Sequence, residues 1–129
     1  MIVVDTSALV AIVLGEPAAE ICMATLEASE LVAISAGTLA EALLVAARRN
    51  KFSGMQQLIE GIGLEVVDVT EERSRLVADA YRRWGKGFHP ASLNFGDCFA
   101  YALAAERGCP LLYVGDDFAR TDIVAARPA

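Results

Sequence analysis

Acidic side chains recur in this sequence at the places where a hydrophobic, strand-like run gives way to a helix or a loop. The four acids at such junctions are Asp5, Glu41, Asp97 and Asp116. Asp5 ends the apolar run that opens the chain, and Glu41 and Asp97 are expected in the first turns of two later helices. Because the carboxyl ends of parallel strands meet at one edge of a sheet, these carboxylates are expected to converge there.

Convergent carboxylates indicate a metal site. Acids a few ångströms apart repel one another and raise each other's pKa unless a cation neutralises them. An all-oxygen set of ligands, without His or Cys, favours a hard ion such as Mg²⁺ or Mn²⁺. A cation held in this way polarises a phosphoryl oxygen and lowers the pKa of an attacking water, so the chemistry predicted is hydrolysis of a phosphodiester bond.

Each acid also has a purely structural explanation, because helix starts are enriched in acids. Asp5 could cap the helix that follows it, and Glu41 could close a capping box with Thr38. Asp97 lies where the helix dipole favours negative charge. The sequence alone leaves both roles open for each residue.

Several further residues lie next to these acids. Asp117 is adjacent to Asp116, and the place after a glycine favours Asp116 as the cleft acid, with Asp117 expected to bond backbone amides of the turn. Asp122 is expected to cap or to support the site from outside. The hydroxyls of Thr6 and Ser7 could orient the first acid or a metal-bound water, or could simply cap the first helix.

Apolar runs of strand length alternate with segments of helical period, a pattern that predicts a parallel sheet flanked by helices. Strands are predicted at 2–5, 31–35, 64–67 and 111–114, with a short fifth strand near 123–126. Helices are predicted at about 7–14, 17–28, 38–50, 53–61, 70–84 and 94–107.

The bulk composition predicts one globular domain over residues 1–129, since 55% of the residues are hydrophobic. The net charge of −6 argues against a general nucleic-acid binder, whose affinity would depend on Lys and Arg. Cations bound among clustered acids would reverse the local sign of that charge. The candidates for guiding phosphates toward the site are Arg48, Arg49, Arg82 and Lys86. They are equally explained as solvated charges at helix ends.

Three widely spaced cysteines without a zinc-binding pattern predict reduced thiols and a cytoplasmic protein. A signal peptide and a membrane span are not expected, because the apolar N-terminus lacks basic residues and no apolar run is long enough. His89 lies in a Gly/Pro loop and is not expected to be catalytic. Trp84 and Tyr101 are expected in the core.

Separate stretches of the sequence carry a resemblance to a known family. They are residues 2–9, Glu41, residues 94–103 (Asn-Phe-Gly-Asp-Cys-Phe-Ala-Tyr-Ala-Leu), and residues 111–118 with Thr121-Asp122. In order and spacing, over essentially the whole chain, they resemble the PIN-domain ribonucleases, and more closely the VapC toxins of bacterial VapBC toxin–antitoxin modules.

This resemblance implies a three-layer α/β/α fold with a five-stranded parallel sheet, and a Mg²⁺-dependent endoribonuclease. Asp5, Glu41 and Asp97 match the three metal-cleft acids of the family, and the fourth falls at Asp116. The expected partners are RNA and a VapB-type antitoxin, whose helix would cover apolar surface of the segments 17–28 and 38–62. A homodimer or a toxin–antitoxin hetero-oligomer is expected, with DNA contacted only through the antitoxin.

Other functions are also compatible with the sequence. A haloacid-dehalogenase-like phosphoryl transferase would need a second Asp two residues after Asp5, where this chain has Ser7. The alternatives that stay open are a non-catalytic PIN-like binding scaffold, whose acids only cap helices, and a PIN-domain nuclease without a toxin role.

Overall fold

The computed structural model describes residues 1–127, which form alternating strands and helices. The strands are β1 (Ile2–Val4), β2 (Val32–Ser35), β3 (Glu65–Val67) and β4 (Leu111–Leu112). The helices are α1 (Thr6–Leu14), α2 (Ala19–Ala28), α3 (Ala36–Arg48), α4 (Phe52–Ile62), α5 (Glu71–Trp84) and α6 (Phe95–Arg107), and a 3₁₀ turn spans Phe118–Arg120. The predicted order of elements is confirmed, with each strand one or two residues shorter than expected.

The strands form one parallel sheet in the order β3-β2-β1-β4. The prediction of a fifth strand near 123–126 is wrong for the described chain, where this segment makes only an isolated bridge between Leu111 and Ala125. Leu111 donates its N–H to Val124 and accepts from Ala126, both at 2.9 Å. Since β4 is only two residues long, it offers too little edge for a further strand.

Helices cover both faces of the sheet, which gives the predicted three layers. Successive strand residues point to opposite faces. Val3 and Leu111 pack into a hydrophobic core with α5 and α6. Val4 and Leu112 pack into a second core with α1 to α4. Across residues 1–127, the helices are too short or too polar to cross a bilayer.

Local sequence fixes where the helices that reach the carboxyl edge of the sheet begin and end. α1 is capped by Asp5 and ends at Gly15, whose φ of 67° is left-handed and favours glycine. α3 follows β2 without a loop, because Ser35 is both the last strand residue and the helix cap. α6 begins with a reciprocal capping box of Asn94 and Asp97. The first residues of these three helices therefore surround the carboxyl ends of β1 and β2.

Candidate active site

Asp5 is the most deeply buried acid of the site, with only 2% of its surface exposed. Its N–H donates to Leu112 on the neighbouring strand at 2.9 Å, which fixes the backbone where β1 ends. The side-chain Oδ2 accepts hydrogen bonds from the N–H of Ser7 at 3.0 Å and from its Oγ at 2.7 Å. The other oxygen, Oδ1, is buried and has no partner among the described residues.

Glu41 is held by a residue distant in sequence. Thr6 Oγ1 donates to Glu41 Oε1 at 2.6 Å. The expected capping box of Thr38 and Glu41 is wrong, because α3 begins at Ala36 and its cap is Ser35, which accepts from the backbone two residues on. Glu41 therefore lies in the second turn of α3. It does not cap that helix, and its side chain is bonded to Thr6 of α1.

Asp97 forms a reciprocal capping box with Asn94 at the start of α6. Its N–H donates to Asn94 Oδ1 at 2.8 Å, and its Oδ2 accepts from the N–H of Asn94 at 3.0 Å. Gly96 lies between them and against Glu41: a Cβ at Gly96 would overlap the Glu41 carboxylate. The missing side chain of Gly96 thus makes room for Glu41 beside Asp97.

Shifted pKa values show that these acids lie within electrostatic range of one another. Burial raises the pKa of Asp5 to about 7, against the lowering effect of its bonds from Ser7, and the charges of Asp97 and Glu41 raise it further. Burial likewise raises the pKa of Asp97 to about 6, with added repulsion from Asp117 and Glu41. A bound cation would favour the ionised form of both carboxyls and so lower these pKa values.

The three acids share one arrangement that fits a divalent cation. In each, a hydrogen-bond donor fixes one oxygen, while the other oxygen receives no hydrogen bond from residues 1–127. At Asp5 this free oxygen is also buried, and a buried acceptor without a partner is costly. A cation would supply the missing partner, and carboxylate oxygens suit a hard divalent ion.

The acids do not form a closed coordination shell by themselves. Among residues 1–127, no three His, Cys, Asp or Glu side chains stand close enough together to hold a metal as they are. Mutual repulsion opposes closer approach of carboxylates that no cation neutralises. The arrangement is therefore an acidic cleft with fixed oxygens on its walls.

The two adjacent candidates for a fourth acid, Asp116 and Asp117, differ in their electrostatic effect on Asp97. The charge of Asp117 raises the pKa of Asp97, whereas Asp116 is not among the charges that shift Asp5 or Asp97. The expectation that Asp117 would bond the amides of its turn is wrong, since it begins the 3₁₀ turn without a side-chain bond to the backbone. Asp117 is therefore a candidate for the fourth acid beside Asp116.

Asp122 belongs to a separate polar network. It accepts a 2.6 Å hydrogen bond from the hydroxyl of Tyr101 and lies 3.5 Å from the guanidinium of Arg83. The same hydroxyl accepts from Trp84 Nε1 at 2.9 Å. The burial predicted for Trp84 and Tyr101 is confirmed. This network attaches the C-terminal segment to α5 and α6, consistent with a supporting role for Asp122.

The predicted phosphate-guiding residues are exposed, and they lie at the ends of two helices. Arg48 and Arg49 end α3, about 10 Å along the helix axis beyond Glu41. Arg82, near the end of α5, forms an exposed ion pair with Asp79, at 3.9 Å. Lys86 follows the same helix and is exposed. Their role in guiding RNA stays a prediction.

Arg120 and His89 make contacts within the loops that follow α5 and β4. Arg120, which no sequence motif singles out, lies in the 3₁₀ turn after Asp117 and donates to the carbonyl of Pro90 at 3.3 Å. No local sequence pattern predicts this contact, because it joins residues 30 positions apart. His89 accepts from the N–H of Ala91 at 3.0 Å and packs on Trp84, which suits a structural role in its loop.

Comparison with known proteins finds relatives over the full length. The sequence matches the PIN domain family over residues 2–124. Ribonuclease VapC42 of Mycobacterium tuberculosis is 43% identical over 131 aligned residues, which cover 98% of each chain. The crystal structure of Mycobacterium tuberculosis VapC20, described as a sarcin–ricin loop cleaving toxin, has a TM-score of 0.79 at 21% identity, with 99% of this chain and 100% of that chain covered.

A further solved structure contains a partner. The structure of VapBC2 from Rickettsia felis, bound to a DNA fragment from the promoter, has a TM-score of 0.72 at 18% identity. The match covers 97% of this chain and 96% of that chain. At these identities the two solved structures support the three-layer fold.

Proposed function

Since this chain belongs to the PIN domain family and is related over its whole length to VapC ribonucleases, we propose that it is the toxin of a VapBC-type toxin–antitoxin pair and cleaves RNA endonucleolytically. The observation that carries the proposal is the buried, unpartnered Oδ1 of Asp5. A cap needs only one carboxylate oxygen, and Oδ2 already supplies it. The second oxygen and the acids around it are explained by a bound cation.

The ribonucleases of this family depend on a divalent cation, and we propose that Mg²⁺, or alternatively Mn²⁺, serves this chain. We assign Asp5, Glu41 and Asp97 as its ligands. Since these side chains offer only oxygen donors, they favour a hard ion of this kind. Asp117 is the better supported fourth acid, since its charge acts on Asp97. Asp116, favoured by its position after glycine, is the alternative.

When bound, a divalent cation supplies polarisation of the phosphoryl oxygen and a water of lowered pKa. The protein contributes rigid orientation. Ser7 fixes Asp5, and Thr6 fixes Glu41, each through a hydroxyl that donates to one carboxylate oxygen. The N–H of Asn94 does the same for Asp97. Glu41 keeps Oε2 free to ligate the cation or to position the attacking water for in-line cleavage of single-stranded or loop RNA.

An apolar groove between α2 and α4 suits the helix of an antitoxin. It has a volume of about 400 Å³, and its apolar walls are formed by Met23, Leu26, Leu58 and Ile62. An amphipathic helix binds such a groove through its apolar face.

We also propose that the toxin forms a homodimer or a hetero-oligomer with its antitoxin. The net charge of −6 supports DNA contact through the antitoxin only. The three free cysteines support action in the cytoplasm.

The direct test is cleavage of total host RNA by the purified protein in Mg²⁺, with the new RNA ends mapped by sequencing. We expect the wild type to produce defined ends and Asp5→Asn to produce none. Asp79→Asn is the matched control, because Asp79 is an exposed acid on α5 whose one ion pair within residues 1–127 is with Arg82. Equal cleavage by wild type and Asp5→Asn would contradict the assignment of Asp5.

The rival function, a PIN-like scaffold whose acids only cap helices, is distinguished by cation binding. A site that binds Mg²⁺ in the folded state alone stabilises the protein by about 2.7 kcal/mol at a hundredfold excess over Kd. We expect Mg²⁺ to raise the melting temperature of the wild type and of Asp79→Asn but not that of Asp5→Asn. An unchanged wild-type melting temperature would favour the scaffold.

A further inference from the structure

Phe95 is unusually placed for a phenylalanine. It is the first residue of α6, and 71% of its surface is exposed, more than for any other large hydrophobic residue in the described chain. Its neighbour Gly96 contacts Glu41, and Asp97 is two residues away. An aromatic ring in water therefore lies at the rim of the acidic cleft.

The ring of Phe95 packs against the ring of Phe99. Its centroid lies 4.9 Å from that of Phe99, one helical turn on, and the two planes meet at 76° in an edge-to-face contact. Phe99 in turn lies so close to Gly37 of α3 that a Cβ there would overlap the ring. The chain of contacts from α3 through Phe99 limits the motion of Phe95, while its large exposed fraction leaves at least one ring face open to solvent.

The surroundings of Phe95 favour a nucleobase over an apolar protein side chain. Asn94 precedes it, Asp97 follows two residues later, and Glu41 lies against its neighbour Gly96, so the ring, packed on Phe99, borders polar groups of the cleft. A base combines a flat face that stacks on an aromatic ring with polar edges that tolerate such neighbours. The acids repel phosphates, so a contact to the base also supplies binding that charge attraction does not.

We propose that Phe95 is a substrate-binding residue that stacks on the nucleobase next to the scissile phosphate. This proposal rests on the proposed ribonuclease function and adds to it how an acidic cleft retains single-stranded RNA. Stacking tolerates any base, so Phe95 contributes affinity and fixes the position of the strand rather than selecting one sequence.

The first test separates binding from catalysis. The substrate is a fluorescein-labelled RNA oligonucleotide spanning a site mapped in total RNA. We expect Phe95→Ala to lower kcat/KM by about five- to 150-fold, mainly through KM, and Phe95→Trp to keep wild-type activity. Phe88→Ala is the matched control, because Phe88 is 63% exposed on the preceding loop and packs on Tyr81 instead. Wild-type kinetics in Phe95→Ala would overturn the proposal.

The second test identifies the base. A substrate with one abasic nucleotide beside the scissile phosphate should lose about as much activity with the wild type as Phe95→Ala loses with the intact RNA, and Phe95→Ala should not distinguish the two substrates. Independent additive losses would overturn the proposal.

Fluorescence gives a readout that does not depend on cleavage. In the Asp5→Asn background, RNA should quench the indole introduced by Phe95→Trp, and absence of quenching would count against stacking.

Two further outcomes distinguish failure of the stacking proposal from failure of the ribonuclease function. If Phe95→Ala weakens binding of the antitoxin while RNA kinetics are unchanged, then the ring is a protein contact and the stacking proposal is wrong. If the wild type leaves all RNA intact, then the proposed ribonuclease function fails, and stacking on a substrate base fails with it.

Discussion

Asp5 combines two demands on one side chain. Its Oδ2 caps α1 through Ser7, a task that a neutral Asn or Ser also performs. The negative charge on the same group is buried and repelled by Asp97 and Glu41. We therefore expect this charge to destabilise the cation-free protein and a bound cation to offset that cost.

The cation-free protein is expected to lose stability as the pH rises from about 5 to about 8. Folded, Asp5 and Asp97 hold their protons up to pKa values of about 7 and about 6, whereas the ordinary pKa of an aspartate is 3.8. The folded state thus binds more protons than the unfolded chain within this window, so the free energy of unfolding falls as the pH rises. Melting temperatures in EDTA at both pH values measure the effect.

Asp5→Asn removes the larger contribution and should flatten this pH dependence, with a mutant that is more stable than the wild type at the higher pH. The lowered pKa of Glu65, set by its bond to Arg107, affects stability only below this range. A wild-type melting temperature that increases toward about pH 8 would contradict the expected direction of the effect.

Asp117→Asn should lower cation affinity and cleavage more than Asp116→Asn does. The charge of Asp117 acts on Asp97, so its removal weakens the attraction for a cation without removing a buried ligand. Because Asp117 is exposed, we expect about a fivefold loss, well below that of Asp5→Asn. Cleavage kinetics of both variants, with melting temperatures to check that each is folded, show which of the two acids contributes more. A larger loss for Asp116→Asn would restore the register favoured by the sequence.

Among the helices, the site depends on how closely α3 and α6 approach. Gly96 is the contact point nearest the acids, and a methyl group there would displace the Glu41 carboxylate from its bond with Thr6. We expect Gly96→Ala to lower cleavage at least about tenfold while the fold is retained, because Ala is the better helix former by about 1 kcal/mol.

Gly54→Ala is the control for that substitution. Gly54 lies in α4, where a Cβ would meet only Val13, at an ordinary 3.9 Å. This variant should gain stability and keep wild-type cleavage. If Gly96→Ala cleaves RNA as well as Gly54→Ala does, then the position of Glu41 is not set by the packing of α3 against α6.

The sequence predicted the elements well where the signal is local. The strand-to-helix junction at Asp5 and the first-turn position of Asp97 both follow from residues within a few positions. The start of α3 was missed because Thr38 and Glu41 fit a capping box, while Ser35 belongs equally to the strand before it. The true partner of Glu41 is Thr6, 35 residues away, and no local pattern contains that bond.

The end of the chain shows the same limit. The apolar run at 123–126 predicted a fifth strand, yet the described structure has one bridge to Leu111 because β4 is so short. The choice between Asp116 and Asp117 likewise depends on the backbone after Gly115, whose φ of 104° is open mainly to glycine. The direction in which the chain leaves such a residue is fixed by tertiary packing.

Across the protein as a whole, the cleft and the apolar groove are built from different side chains. The groove lies between α2 and α4, on the face that packs against Val4 and Leu112. The acids lie at the carboxyl edge of the sheet. The proposed antitoxin groove and the proposed catalytic cleft therefore share no side chain, and we expect that each function can be removed without the other.

Leu58→Asp should weaken antitoxin binding by about tenfold or more, because it places a charge in the apolar groove. Cleavage by the isolated toxin should be unchanged. Val124→Asp is the control, since Val124 is 65% exposed and lies outside the groove. Calorimetric titration with the cognate antitoxin measures both variants. Undiminished binding by Leu58→Asp would place the antitoxin elsewhere.

The uncompensated charge of Asp5 also bears on how such a protein is maintained over generations. We expect substitution of Asp5 by Asn to keep the cap, to remove the repulsion and to yield a more stable chain without cleavage activity. Inactivation is thus an easy mutational step that folding does not oppose. A lineage in which cleavage has ceased to matter should drift quickly to a neutral residue at this position, and an aspartate that persists there marks continued selection for the activity itself.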